Sequence, residues 1–123
     1  MSEETLRLAR EGLEAWRRGD FAAIEEVLAP EAQWRWWEPG EWDCRDRDDI
    51  LDRLRERYDQ GFAAGELEFV DAGPAAVVVV SHPSRIGGPD WPDETATLIS
   101  FRGGKVVSMQ DYRTRDEALA AAR

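Results

Sequence analysis

Six tryptophans in 123 residues are the feature of this sequence that bears most directly on binding. Trp34 and Trp36 alternate within one predicted strand and therefore share a face. Trp16, on the first predicted helix, can point at the same space. Such rings offer a flat apolar molecule a stacking surface, with Tyr58 as a hydrogen-bonding group, although ordinary core packing explains them equally well. The other tryptophans are predicted to lie outside the core, at a cavity rim or a subunit contact: Trp37, Trp42 and Trp91.

The remaining polar residues exclude several kinds of site. His82 is the only histidine and Cys44 the only cysteine, so no cluster of metal ligands is present in the sequence. Strand alternation predicts that His82 lies on the outer face of the sheet. The acidic run before the third helix lacks the glycine and closing glutamate of a calcium loop. No phosphate-binding loop or nucleophile elbow is present either. The sequence therefore predicts no metal and no cofactor.

Charge and composition narrow the possible partners and location. The formal net charge of −10 argues against nucleic acid and against acidic membrane surfaces, which both attract clustered Lys and Arg. The same charge leads us to expect neutral ligands rather than anions. One cysteine, a charged amino terminus and the absence of a long apolar run indicate a cytoplasmic protein. The length fits a single domain over residues 1–123. Among the 16 basic residues only Lys105 is not Arg, which we interpret as typical of a bacterial protein.

Apolar periodicity and turn residues divide the chain into helices and strands. The predicted helices are residues 2–18, Phe21–Ala29, a third that begins after Asp46 or Asp48 and ends near Gly61, and Arg115–Ala122. The predicted strands are residues 31–37, Leu67–Ala72, Ala75–Ser81, Glu94–Arg102 and Lys105–Arg113.

The order of these elements predicts an α+β fold. The two-residue connection Gly103-Gly104 indicates an antiparallel hairpin. We therefore expect a cone-like curved antiparallel sheet, with a mixed edge as an alternative, wrapped around the three N-terminal helices. The cavity should lie between the sheet and the helices. A homodimer through the other face of the sheet is also expected, because that face carries several apolar residues. These are Val78, Val80, Leu98, Val107 and Trp37.

Three segments carry a resemblance to a known superfamily. They are Trp16-Arg-Arg-Gly-Asp-Phe21, Leu28-Ala-Pro-Glu-Ala-Gln-Trp34 and Gly104-Lys-Val-Val-Ser-Met-Gln-Asp-Tyr112. In this order and spacing the chain resembles the nuclear transport factor 2 superfamily, which includes ketosteroid isomerases and SnoaL-like proteins. The resemblance implies the fold, but the fold hosts isomerases, cyclases, dehydratases, epoxide hydrolases and non-catalytic modules.

The isomerase branch of this superfamily can be compared residue by residue. Its general base matches Trp36, and its two oxyanion donors fall on Gly12 and near Thr97. An enolising enzyme of that type needs a base at the carbon and acidic donors at the oxygen. Because all three catalytic residues are absent, the resemblance does not extend to ketosteroid isomerase chemistry.

The last strand matches other branches better. In the limonene epoxide hydrolases and SnoaL cyclases, an Asp on this strand acts as an acid or base, and it matches Asp111. The hydrolase's partner Arg and Asp match Val79 and Ser81, which cannot orient a water. Strand alternation puts Met109, Asp111 and Arg113 on one face.

Two functions remain open on this basis. The first is a cavity that binds a small apolar or aromatic metabolite and isomerises, cyclises or hydrolyses it through Asp111, whose pKa an apolar site would raise. Met109 and Arg113 would then contact the ligand beside the aromatic residues. The alternative is a dimeric binding or assembly module with a vestigial cavity. Asp111 would then be a structural or solvated carboxylate that pairs with Arg113 or another Arg.

Overall fold

The computed structural model describes residues 2–38, 40 and 43–122. The helices are α1 (Ser2–Arg18), α2 (Phe21–Val27), α3 (Arg47–Asp59), α4 (Ser84–Gly87) and α5 (Arg115–Ala121), with a 3-10 turn at Phe62–Ala64. The strands are β1 (Leu28–Arg35), β2 (Leu67–Asp71), β3 (Ala76–Ser81), β4 (Thr95–Arg102) and β5 (Lys105–Tyr112). This is the predicted α+β fold, with α4 as an additional helix in the loop between β3 and β4. Trp42 lies outside the described residues.

Local sequence explains most element boundaries. Side-chain caps start three of the helices, with Asp20 at α2, Asp46 at α3 and Thr114 at α5. The prediction that α2 extends to Ala29 is wrong, because α2 ends at Val27 and β1 begins at the next residue. Proline at position 30 disfavours helical backbone in the residue before it, so the chain turns extended earlier than the apolar pattern indicates.

The five strands form one curved sheet in the order β1-β5-β4-β3-β2. Strands β2 to β5 pair antiparallel, and β1 pairs parallel with β5 at one edge. The sheet is therefore mixed at that edge. The intervening helix α3 and the strands β2 to β4 supply the long connection that a parallel pair requires.

A β-bulge in the β4–β5 hairpin decides which residues lie opposite each other. Phe101 pairs with Val106, but Ser100 pairs with Ser108, so Val107 is the extra residue. From there on the register is shifted by one residue, and Asp111 lies opposite Thr97.

The main core lies between the helices and the concave face of the sheet. Ile24, Ile50, Val77 and Ile99 are buried there, together with Trp16. The indole N–H of Trp16 donates to the Leu54 carbonyl at 2.9 Å, which ties α1 to α3. Within the described residues, none of the helices combines the length and apolar character that crossing a bilayer requires.

The other face of the sheet is partly covered by α5. Val78 and Val80, which we expected to be available for a partner, are buried in a second cluster with Ala118 of α5. Val107 packs against the main core, because the bulge turns it inward. Of the residues named for the dimer face, Leu98 remains partly exposed there. The homodimer stays a prediction, with less apolar area to support it.

Candidate functional site

A cavity of about 640 Å³ lies between the concave face of the sheet and the helices α1 and α3. This volume is in the range that encloses a small-molecule ligand. Six aromatic residues contribute to its wall, namely Trp16, Trp34, Trp36, Trp37, Phe62 and Trp91. Apolar side chains such as Leu54, Val79 and Met109 also line it. A flat apolar molecule therefore finds both the space and the stacking surface in one place.

Asp111 is the carboxyl group of the sheet that faces this cavity. The Thr97 hydroxyl donates to Asp111 Oδ1 at 2.6 Å, and the Trp34 indole N–H donates to the same oxygen at 3.0 Å. In the described part of the chain, Oδ2 accepts no hydrogen bond. One carboxyl oxygen is thus anchored by the protein, and the other is left for a proton or a ligand.

The surroundings shift the acidity of Asp111 in a definite direction. Burial raises the pKa of Asp111 above its ordinary value, because an apolar wall solvates the carboxylate poorly. The hydrogen bonds from Thr97 and Trp34 and the charge of Arg57 favour the ionised form and reduce that rise, whereas the charge of Asp43 adds to it. The net rise agrees with the expectation from sequence. It prepares the group to hold and release a proton closer to neutral pH.

Two arginines of α3 form the helical side of the cavity wall. Arg53 and Arg57 both line it, and their side chains are 18% and 21% exposed. The Arg57 guanidinium lies 5.0 Å from the centre of the Trp91 ring and donates to the Gln60 side-chain oxygen at 2.8 Å. Burial lowers the pKa of Arg57, as does the neighbouring positive charge of Arg53. A guanidinium remains cationic under these conditions.

The loop between β3 and β4 covers one side of the cavity. Trp91 packs on Phe62 with ring centres 4.6 Å apart. Gly87 passes so close to Trp91 that a Cβ there would lie 2.4 Å from the indole Cδ1. His82 also lines the cavity, and its Nδ1 lies 2.9 Å from the Asp93 carbonyl oxygen. The prediction that His82 lies on the outer face is wrong, because β3 ends at Ser81 and strand alternation does not continue to it.

The structure brings most of the predicted site residues to this cavity. Trp16, Trp34, Trp36, Met109 and Asp111 all line it. Their contact with a ligand stays a prediction.

Trp37 and Trp91 line the cavity as well, which fits the predicted position at a rim. For Trp37 it also means that this residue does not add to the dimer face.

Tyr58 and Arg113, which we predicted to contact the ligand, do not line the cavity. Tyr58 is 38% exposed and packs edge-on against Phe21 with ring centres 5.8 Å apart. Arg113 follows the end of β5, so strand alternation no longer fixes its direction. Its guanidinium forms an exposed ion pair with Glu38 at 3.0 Å. The alternative in which Asp111 pairs with Arg113 is therefore also wrong.

Sequence reasoning missed three polar residues of the site. Thr97 is opposite Asp111 because of the bulge, whereas a regular hairpin closed by Gly103-Gly104 would place Ala96 there. Arg53 and Arg57 were not predicted, because charged side chains on a helix are expected to face solvent. The spacing of positions 50, 54 and 57 is the signal that could have placed Arg57 on the same face as Ile50 and Leu54.

The described residues contain no group of three or more His, Cys, Asp or Glu side chains that could hold a metal ion. The charged groups of the cavity wall are instead three carboxyl groups, at Glu66, Asp90 and Asp111, and the guanidinium groups of Arg53, Arg57 and Arg85. Such an arrangement can bind an organic molecule and exchange a proton with it.

Comparisons with known proteins agree with this architecture. The model of the SnoaL-like domain family matches residues 9–109. A nuclear transport factor 2-like protein from Burkholderia xenovorans LB400 is 22% identical, with 99% of this chain and 97% of that chain covered and a TM-score of 0.66. A candidate polyketide cyclase from Xanthomonas campestris pv. campestris is 18% identical, with 99% and 98% covered and a TM-score of 0.64.

The structure of a de novo designed protein with a curved β-sheet resembles this chain about as closely as the two natural proteins do. It is 13% identical, with 99% of this chain and 96% of that chain covered and a TM-score of 0.69. No curated protein matches the chain. At these identities the solved structures show the fold, and the function has to be argued from the cavity itself.

Proposed function

The chain belongs to the family of SnoaL-like domains, and we propose that its cavity binds a flat, apolar metabolite with which Asp111 exchanges a proton. The observation that carries this proposal is the anchored carboxyl in the aromatic cavity. Thr97 and Trp34 hold Oδ1 at 2.6 and 3.0 Å, and the group faces a space of about 640 Å³. The candidate polyketide cyclase of the same fold lends support at the level of the fold only.

The chemistry of one such carboxyl suits isomerisation or cyclisation of a carbonyl compound. In its ionised form Asp111 takes a proton from the carbon beside the carbonyl, and the electron pair moves to the carbonyl oxygen as an enolate. The guanidinium groups of Arg53 and Arg57 on the cavity wall would stabilise the negative charge of the enolate oxygen, in place of the donors of the isomerase branch. The neutral acid then returns the proton to the same or a conjugated carbon. A raised pKa makes the carboxylate a stronger base, which makes removal of the proton from carbon less unfavourable.

Thr97 and Trp34 act as positioning residues in this proposal. Neither a threonine hydroxyl nor an indole N–H gains or loses a proton near neutral pH. Two donors on one oxygen fix the plane of the carboxyl group, so that Oδ2 keeps one orientation toward the bound molecule.

A second candidate function is binding without catalysis. It is favoured by the positions where epoxide hydrolases carry an Arg and an Asp, since these are Val79 and Ser81 here. The Ser81 hydroxyl is paired with that of Thr95 at 2.7 Å and does not contribute a charge. The cavity would then hold a metabolite or take part in an assembly, and Asp111 would only orient the ligand.

Hydrogen exchange of a neutral bicyclic ketone distinguishes the two functions. We expect the protein to accelerate the exchange of the carbon-bound protons of 2-tetralone in deuterated buffer, followed by NMR. The Asp111→Asn variant should lose this acceleration about 100-fold or more, because the amide cannot take up the proton. Asp59→Asn, at the exposed end of α3, is the matched control and should behave as the wild type. Equal rates for wild type and Asp111→Asn, with 2-tetralone bound to both, would favour binding alone.

A further inference from the structure

The cavity wall does not share the large negative excess of the whole chain, because Arg53, Arg57 and Arg85 line it together with Glu66, Asp90 and Asp111. The chain carries a net charge of −10, which favours neutral ligands at long range. On the helical wall, however, two guanidinium groups lie one turn apart, at Arg53 and Arg57. Exposed charges are screened beyond about 8–10 Å in physiological salt, whereas partly buried charges act on a bound molecule directly. The two guanidinium groups of α3 can therefore attract an anionic group of a ligand despite the negative charge of the whole chain.

Arg57 is held in place mainly by neutral groups. Its guanidinium donates to the Gln60 oxygen at 2.8 Å and stacks over Trp91 at 5.0 Å. Its carboxylate contact is Glu56, whose Oε1 lies 3.5 Å from Arg57 Nη1. The other oxygen of Glu56 lies 3.6 Å from Arg53 Nη1, so one carboxylate serves two cations.

The contact between Glu56 and Arg57 is too long for a strong ion pair. Charge-assisted hydrogen bonds are typically about 2.7–2.9 Å long, shorter than either contact of Glu56. The Glu56 side chain is also 51% exposed, so that water screens its charge. Among the described residues, Arg57 makes no ion pair with Asp111 across the cavity. A partly buried cation whose one ion pair is long and screened can still take an anion from the ligand.

From this arrangement we infer that the helical wall of the cavity, at Arg53 and Arg57, is a subsite for a carboxylate or similar oxyanion of the ligand. The ligand class becomes a flat apolar acid, with its ring system against the tryptophans and its acidic group on α3. This inference rests on the proposed function, because it assumes that the ligand occupies the same cavity. It narrows the proposed ligands from flat apolar molecules to those that also carry an acidic group. The Arg57 guanidinium lies 5.0 Å from the centre of the Trp91 ring, and a planar guanidinium can form paired hydrogen bonds to a carboxylate.

Two probes that differ only in charge test the subsite. 2-Naphthoate carries a carboxylate, and 2-naphthamide is its neutral counterpart of the same shape. Calorimetric titration at neutral pH should show at least about tenfold tighter binding of 2-naphthoate to the wild type, the effect of one hydrogen-bonded charge. Arg57→Gln should lose about tenfold in affinity for 2-naphthoate and leave 2-naphthamide unchanged. Arg57→Lys should keep part of the preference, because the positive charge remains.

Arg55→Gln is the matched control on the same helix. Arg55 does not line the cavity, its side chain is 54% exposed, and it lies 4.9 Å from the centre of the Phe21 ring. This variant should bind both probes as the wild type does. If Arg57→Gln fails to fold, the comparison of the two probes on the wild type still decides the question.

The outcomes separate this inference from the function on which it rests. Equal affinity of the wild type for both probes would overturn the anion subsite and leave a cavity for flat neutral molecules. An equal loss of naphthoate affinity in Arg55→Gln and Arg57→Gln would also overturn it, because the effect would then be general electrostatics. If neither probe binds more tightly than about 1 mM, both the subsite and the proposed ligand class are contradicted.

Discussion

Replacing Thr97 by valine removes one of the two donors that hold Asp111 and keeps the shape of the side chain. The lost bond is 2.6 Å long and ends on a carboxyl oxygen that lines the cavity. A hydrogen bond to a charged group contributes about 1.5–3 kcal/mol to stability, and one between neutral groups about 0.5–1.5 kcal/mol. The Trp34 indole remains as a donor, so we expect a loss of about 2 kcal/mol when Asp111 is ionised and about 1 kcal/mol when it is protonated.

The sign of the pH dependence follows from the direction of the pKa shift. In the folded state the pKa of Asp111 is raised, so its contribution to stability is fully present below the unfolded-state pKa and is lost as pH rises through the folded-state pKa. Thr97 reduces this loss by stabilising the ionised form. Thr97→Val should therefore raise the Asp111 pKa further and make the total loss of stability between low and high pH larger.

Urea unfolding at about pH 4 and about pH 8 measures both effects. Thr95→Val is the matched control on the same strand, since its hydroxyl pairs with that of Ser81 at 2.7 Å, a bond between neutral groups. The control should lose about 1 kcal/mol at both pH values. If Thr97→Val and Thr95→Val lose equal free energy at both pH values, the Thr97 hydroxyl does not stabilise the carboxylate and this reasoning is wrong.

Three further outcomes are expected. Asp111→Asn should leave the thermal stability near pH 7 unchanged or increase it, because burial disfavours the carboxylate and the amide oxygen still accepts from Thr97 and Trp34. A clear loss of stability would indicate a depressed pKa of Asp111 instead. Gly87→Ala should weaken the binding of 2-naphthol in calorimetry, because a Cβ 2.4 Å from the Trp91 ring forces the covering loop away, and unchanged affinity would show that the loop has no part in binding. Sedimentation should give the mass of two chains, because the remaining apolar face of the sheet, which includes Leu98, is expected to pack against a second copy of the chain. The mass of a single chain would contradict the homodimer.

The element order was predictable because each segment carries its own local signals. The apolar stripe of α1, the caps at Asp46 and Thr114, and the Gly103-Gly104 turn act over a few residues and need no tertiary contact. The aromatic wall followed from the same periodicities, since Trp16 and Trp34 lie on the faces that the pattern places inside.

The polar part of the site depends on geometry that the pattern does not contain. Thr97 reaches Asp111 because Val107 is an extra residue in the hairpin, and a bulge of one residue leaves no clear mark in the sequence. Arg57 points into the cavity although apolar periodicity predicts the opposite for a charged residue. Trp91 lies on a loop, where no periodicity applies, and its place is set by contact with Phe62.

The most direct test of the central claim is the titration of the Asp111 carboxyl carbon by NMR, assigned by comparison with Asp111→Asn. If the cavity holds Asp111 as an exchangeable acid, the midpoint lies above the ordinary aspartate value of 3.8, because burial outweighs the two hydrogen bonds to Oδ1. A midpoint at or below 3.8 would contradict the account, since Asp111 would then be a permanently ionised structural carboxylate.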